Sequence, residues 1–143
     1  MAPAHVLVPL DGSPLARAAF AHTLETYDCQ VTVLNVVTSL DADMSEGGLL
    51  EPGDDRLAGA RERAQGLIQQ ASDAAAGRNR TIETAVASGD PAETIVDYVD
   101  DHAVDHVVMG GHGGEGGELT RRLLGTVATT VVSEAPVTVT VVR

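Results

Sequence analysis

The sequence predicts an α/β fold: a doubly wound parallel sheet with helices on both faces. Three observations lead there. Strand and helix signals alternate in the order β-α-β-α-β-α-β-α-β. The strands read as short apolar runs, as expected of strands covered on both sides. Turn and capping residues separate the elements. At 143 residues the chain has room for one domain, residues 1–143, with a proper core.

His5-Val6-Leu7-Val8-Pro9-Leu10 is the first strand, ended by Asp11-Gly12-Ser13-Pro14. Ser13 suits a helix N-cap with Pro14 at the first helical position. Leu15, Ala18, Ala19, His22 and Thr23 then recur at helical spacing. Val31 to Val37 is the second strand. Residues 38–53 read as a long acidic loop with Pro52, fitting either a lid or a surface insertion. Residues 54–77 fit one helix on Leu57, Ala60, Ala64, Leu67, Ile68 and Ala71, stopping at Gly77. Thr81 to Ala87 alternates as a third strand. Ser88-Gly89-Asp90-Pro91 opens a helix along Ile95, Val96, Tyr98 and Val99. His106 to Met109 is the fourth strand, residues 119–134 are helical, and Pro136 to Val142 is the fifth strand. That last strand should lie at a sheet edge, uncharged until Arg143. Such edges are normally protected, and pairing with a second copy in a symmetric dimer would do so.

Composition narrows the function classes. There are 21 acidic residues against 9 basic ones, a net charge of −12. Every basic residue is Arg, and Lys is absent. That surface argues against nucleic-acid backbones and anionic membranes as partners. It resembles adaptation to high salt, where repulsion is screened; a GC-rich genome also favours Arg over Lys. Cys29 has no partner for an internal disulfide and reads as a small buried hydrophobe. No run approaches the ~20 apolar residues of a membrane span, and no charged-then-apolar leader opens the chain. The expectation is a soluble, cytoplasmic protein.

In doubly wound sheets, ligands bind beyond the carboxyl ends of the strands, where strand order reverses. Three segments should meet there: Pro9 to Ser13, the chain near Val37, and the loop after Met109. That loop holds six glycines before Leu119, and Gly125-Thr126 closes the segment. A glycine-rich turn between strand and helix suits phosphate, helped by the helix dipole. It is not a Walker A loop, because no Gly-Lys-Ser/Thr is present. Arg121 and Arg122 can neutralise phosphate or sit on a solvated helix face. Asp11 can accept from ribose hydroxyls or a base amine, or bond its own turn backbone. His112 can donate to phosphate or shape the loop. The five histidines show no metal-ligand spacing with carboxylates or thiols, and no Ser-His-Asp order is persuasive. No catalytic or metal residue is assigned.

Taken together, the motifs resemble the universal stress protein family. They are Val6-Leu7-Val8-Pro9-Leu10-Asp11-Gly12-Ser13, Ser88-Gly89-Asp90-Pro91-Ala92-Glu93-Thr94-Ile95, Val107-Val108-Met109-Gly110-Gly111-His112-Gly113, and Leu123-Leu124-Gly125-Thr126-Val127 followed by Ala135-Pro136-Val137. The resemblance spans the whole chain in order. It implies an adenine nucleotide alpha hydrolase-like sheet in strand order 3-2-1-4-5, usually as a homodimer. It also implies a nucleotide-dependent stress sensor or regulator that binds ATP, with Mg²⁺. No residue set supplies an activated nucleophile and a transition-state clamp, which leaves at most slow hydrolysis or autophosphorylation at a loop hydroxyl such as Thr120 or Thr126. On the family's ATP-binding pattern, Pro9, Leu10 and Asp11 line adenosine with Val37 near the base. Met109, Gly110, His112 and Gly113 hold ribose and phosphate; Gly125, Thr126 and Val127 complete the cradle. One departure stands out. The pattern has nine residues between its second and third glycines, whereas 11 separate Gly113 from Gly125. The excess falls in Gly114-Glu115-Gly116-Gly117-Glu118 and puts carboxylates beside a triphosphate. A dimeric interaction scaffold that binds no nucleotide is the alternative. An adenylating enzyme lacks room for its substrate domain, and a phospho-acceptor receiver lacks its lysine.

Overall fold

The computed structural model describes residues 2–38, 54–112 and 124–143. Their elements are β1 (His5–Pro9), α1 (Pro14–Thr26), β2 (Gln30–Val37), α2 (Asp54–Ala76), β3 (Glu83–Ser88), α3 (Pro91–Asp101), β4 (His106–Gly110), α4 (Thr126–Glu134) and β5 (Thr138–Val142). All strand pairs are parallel, in the order β3-β2-β1-β4-β5. This is the fold class expected from the alternating elements and the strand order implied by the family resemblance.

Alternation along the strands builds two cores. Val6, Val8, Val31, Val33 and Val108 face α1 and α2, meeting Ala16, Ala19, Phe20, Ala71 and Ala75. Leu7, Leu34, Val107 and Met109 face α3 and α4, meeting Ala92, Ile95, Val99, Ala128 and Val131. Alanines on the helices let these aliphatic layers approach closely. Each fully buried Leu or Ile contributes about 1.5–3 kcal/mol of hydrophobic transfer.

Element boundaries moved where backbone chemistry outweighed pattern. The helix expected over 119–134 begins, in its described part, at Thr126, with Gly125 as an extended N-cap at φ −69° and ψ 168°. Residues 119–123 lie outside the described chain, as does the 38–53 loop beyond Thr38. β3 starts at Glu83 rather than Thr81, where pairing with Thr32 begins. β5 starts at Thr138, where pairing with His106 begins. α2 ends at Ala76, just before Gly77 as expected, and the left-handed residue beyond it is Asn79, at φ 58°. Cys29 is half-buried against the α1 core, and burial pushes its thiol pKa up.

β1 pairs with β2 from His5 to Pro9, but with β4 only at Val6 and Leu7. The central pair therefore parts toward its carboxyl end. Pro9, which has no N–H for a ladder bond, sits where that second partner is lost.

Candidate nucleotide-binding cleft

The parting of β1 from β4 opens a cleft of about 380 Å³ at the carboxyl edge of the sheet. Pockets of this order take small-molecule ligands. Of the residues predicted to form the site, Pro9, Leu10, Asp11, Met109, Gly110, His112, Gly125, Thr126 and Val127 all line it. Gly113 lies outside the described residues, as do Arg121 and Arg122.

Val37 is a correction. It is 4% exposed and packs with Ala60 and Ala64 under α2, on the opposite face of the sheet. Strand alternation places Leu34, Val36 and Thr38 on the cleft side instead, and all three line it. The same period of two was legible in the sequence. Ser13, Pro91 and Ile95 also line the cleft and were not predicted to.

The β1–α1 turn holds one wall. The Asp11 carboxylate accepts from the Ser13 N–H at 2.9 Å, and Gly12 takes φ +85°, where a side chain would be strained. Ser13 in turn caps α1, accepting from the Ala16 N–H at 3.3 Å. The buried Asn35 amide donates to the Leu10 carbonyl at 2.7 Å, fixing the turn from β2. Asn35, a polar residue inside an apolar run, was a legible signal. Asp11 thus fills its turn role through Oδ1. Its Oδ2 has no hydrogen bond among the described residues.

β4 forms the opposite wall. At Gly110 a Cβ would fall 2.9 Å from the Leu15 backbone, so only glycine lets the strand end this close to α1. The Gly111 N–H donates to the Val142 carbonyl at 2.8 Å, and the Gly125 N–H donates to the Gly111 carbonyl at 2.6 Å. These bonds bring the start of α4 beside the end of β4.

Helix starts differ in how their free N–H groups are satisfied. Ser13 caps α1, and Asp90 caps α3 by accepting from the Glu93 N–H at 3.0 Å. Gly125 gives α4 no side-chain cap. Gly125, Thr126 and Val127 are at the cleft, so an uncapped, partly positive helix end borders it. The rest of the lining includes Leu34, Val36, Ile95 and Met109. An apolar floor beside an open helix start fits a flat heterocycle carrying an anionic tail. Among the described residues no cluster of three or more His, Cys, Asp or Glu side chains is placed to hold a metal ion.

A model of the universal stress protein family matches residues 4–143. The chain belongs to that family. Among solved structures it is similar to the universal stress protein UspA from Lactobacillus plantarum, at 26% identity and TM-score 0.70, covering 100% of this chain and 99% of that one. A family member from Arabidopsis thaliana with AMP bound is 22% identical, with TM-score 0.70 and coverage of 98% and 91%. A universal stress protein in complex with cAMP is 22% identical, with TM-score 0.68 and coverage of 100% and 99%. The latter two likenesses are of fold. No curated protein matches the chain. No helix among the described residues is long and apolar enough to cross a membrane.

Proposed function

We propose that this universal stress protein binds an adenine nucleotide, ATP with Mg²⁺ in the first instance, in the β1–β4 cleft. The observation that carries the reading is the uncapped start of α4 facing an apolar cleft. Adenine stacks on the apolar lining near Val36, Ile95 and Met109. Asp11 Oδ2 accepts from ribose, and the Gly125–Val127 backbone receives phosphate. The AMP and cAMP bound by two relatives support an adenine ligand. Mg²⁺ offsets the carboxylates of Glu115 and Glu118 in the lengthened loop.

The cleft serves binding rather than turnover, and nucleotide occupancy is the signal in a stress-response regulator of the cytoplasm. Two copies pair through β5, which among the described residues has only β4 beside it. The acidic, lysine-free composition suits high salt and disfavours nucleic acid and membranes. Calorimetry with ATP, ADP, AMP and cAMP, with and without Mg²⁺ in concentrated salt, tests the ligand. Heat of binding for at least one is expected, and silence for all four ends the reading. In that case the lengthened acidic loop favours an interaction scaffold. Native mass spectrometry of the purified protein reads dimer mass and retained nucleotide together.

A further inference from the structure

The amino edge of the sheet, opposite the cleft, holds four of the five histidines in a repeated arrangement. At the start of β1, His5 Nε2 meets Thr32 Oγ1 of β2 at 2.8 Å. At the start of β4, His106 Nε2 meets Thr140 Oγ1 of β5 at 2.8 Å. Each threonine lies two residues beyond the histidine's register partner, Gln30 for His5 and Thr138 for His106. The two pairs occupy opposite faces. Each has a tyrosine and an exposed histidine from its covering helix region: Tyr98 and His102 on the α3 side, Tyr27 and His22 on the α1 side. The pairs differ in what they hold. His5 Nδ1 has a second contact, to the His102 carbonyl at 3.2 Å, and β2 is flanked by strands on both sides. His106 holds β5, a strand with one neighbour among the described residues.

We propose that the His106–Thr140 pair is a proton-sensitive latch on β5. A neutral ring bridges β4 and β5 from a buried position. Charging a ring held largely out of water costs stability, so protonation weakens this side-chain tie between β5 and β4.

The groups around the ring set the direction. Burial pushes His106 below the ordinary histidine range; Asp105, in the turn before β4, opposes this, and His22 of α1 adds to it. Tyr27, after α1, tilts over the ring with centroids 5.1 Å apart, and β5 presents the Thr140 hydroxyl. Arg80 and Asp28, on the same edge, act on Cys29. The unfolded chain holds the proton more tightly than the folded one. The ring's contribution is therefore present above about pH 6.5 and is lost as pH falls from there toward the folded value. The loss has a route to the cleft, because Thr140 lies two residues before Val142, whose carbonyl holds the Gly111 N–H. The latch operates whatever ligand the cleft takes.

Amide hydrogen exchange on the purified protein at pH 7.5 and 5.5, corrected for intrinsic rates, tests this. Protection of the β5 and Gly111 amides should fall in acid, with about tenfold per pH unit below 6.5 as the ceiling for one proton, while β2 amides hold. His106→Gln, which keeps a neutral amide for Thr140, should abolish the acid loss, and His5→Gln should leave it unchanged. Equal protection of β5 at both pH values overturns the latch, as does an undiminished acid loss in His106→Gln. If that variant does not fold, NMR titration of the wild-type rings decides. A His106 midpoint below those of His22 and His102 supports the latch, and one equal or higher overturns it.

Discussion

At the carboxyl ends of the strands, α4 begins with its first-turn N–H groups uncapped; at the amino ends, His5 and His106 each hold a threonine at 2.8 Å. The cleft edge leaves donors open, and the far edge closes its polar groups on one another. Unpaired polar groups cost stability when buried, so a fold tolerates them where water or a ligand can reach. The contrast separates binding from cohesion within one sheet, and substitutions at each edge test it.

The largest effect on stability is expected at the cleft edge, from Gly110→Ala. Its Cβ would sit 2.9 Å from Leu15, and overpacking of this kind costs about 1–3 kcal/mol. Urea denaturation reads it directly, and an unchanged midpoint would show that α1 shifts freely. Next is Thr126→Glu, which places a carboxylate in the open first turn of α4. Nucleotide affinity should drop on the order of tenfold, ~1.4 kcal/mol, with stability held or slightly raised. Titration calorimetry beside thermal melts distinguishes that outcome from misfolding. Asp90→Ala removes the cap that α3 has and α4 lacks, for a loss of about 1 kcal/mol seen in the same melts.

The smallest effect is expected at the far edge. The N–H groups of Ala4 and His5 hold the exposed Asp105 carboxyl below its usual range. A lowered folded pKa contributes stability above the unfolded value, near 3.8, that is lost as pH falls through the folded one. Asp105→Asn should therefore flatten the acid end of the stability curve slightly. Identical curves below pH 4 would show the two bonds to be inconsequential.

Local chemistry made much of this fold legible. Ser13-Pro14 and Asp90-Pro91 announced two helix starts, and apolar runs announced the strands. The cleft was legible where it follows strand ends, at Pro9 to Asp11 and at Met109 and Gly110. The resemblance put Val37 near the base, but strand alternation turns its side chain to the α2 face. The His106–Thr140 and Asn35–Leu10 contacts join residues 34 and 25 apart. They depend on parallel register, which no local pattern encodes.

The short pairing between β1 and β4 has a mechanical consequence. Among the described residues only Val6 and Leu7 pair β1 with β4, so beyond them cohesion passes from the ladder to side chains. Val8 and Val108 share one apolar core with Ala16 and Ala19 of α1, which therefore clamps the sheet where the ladder stops.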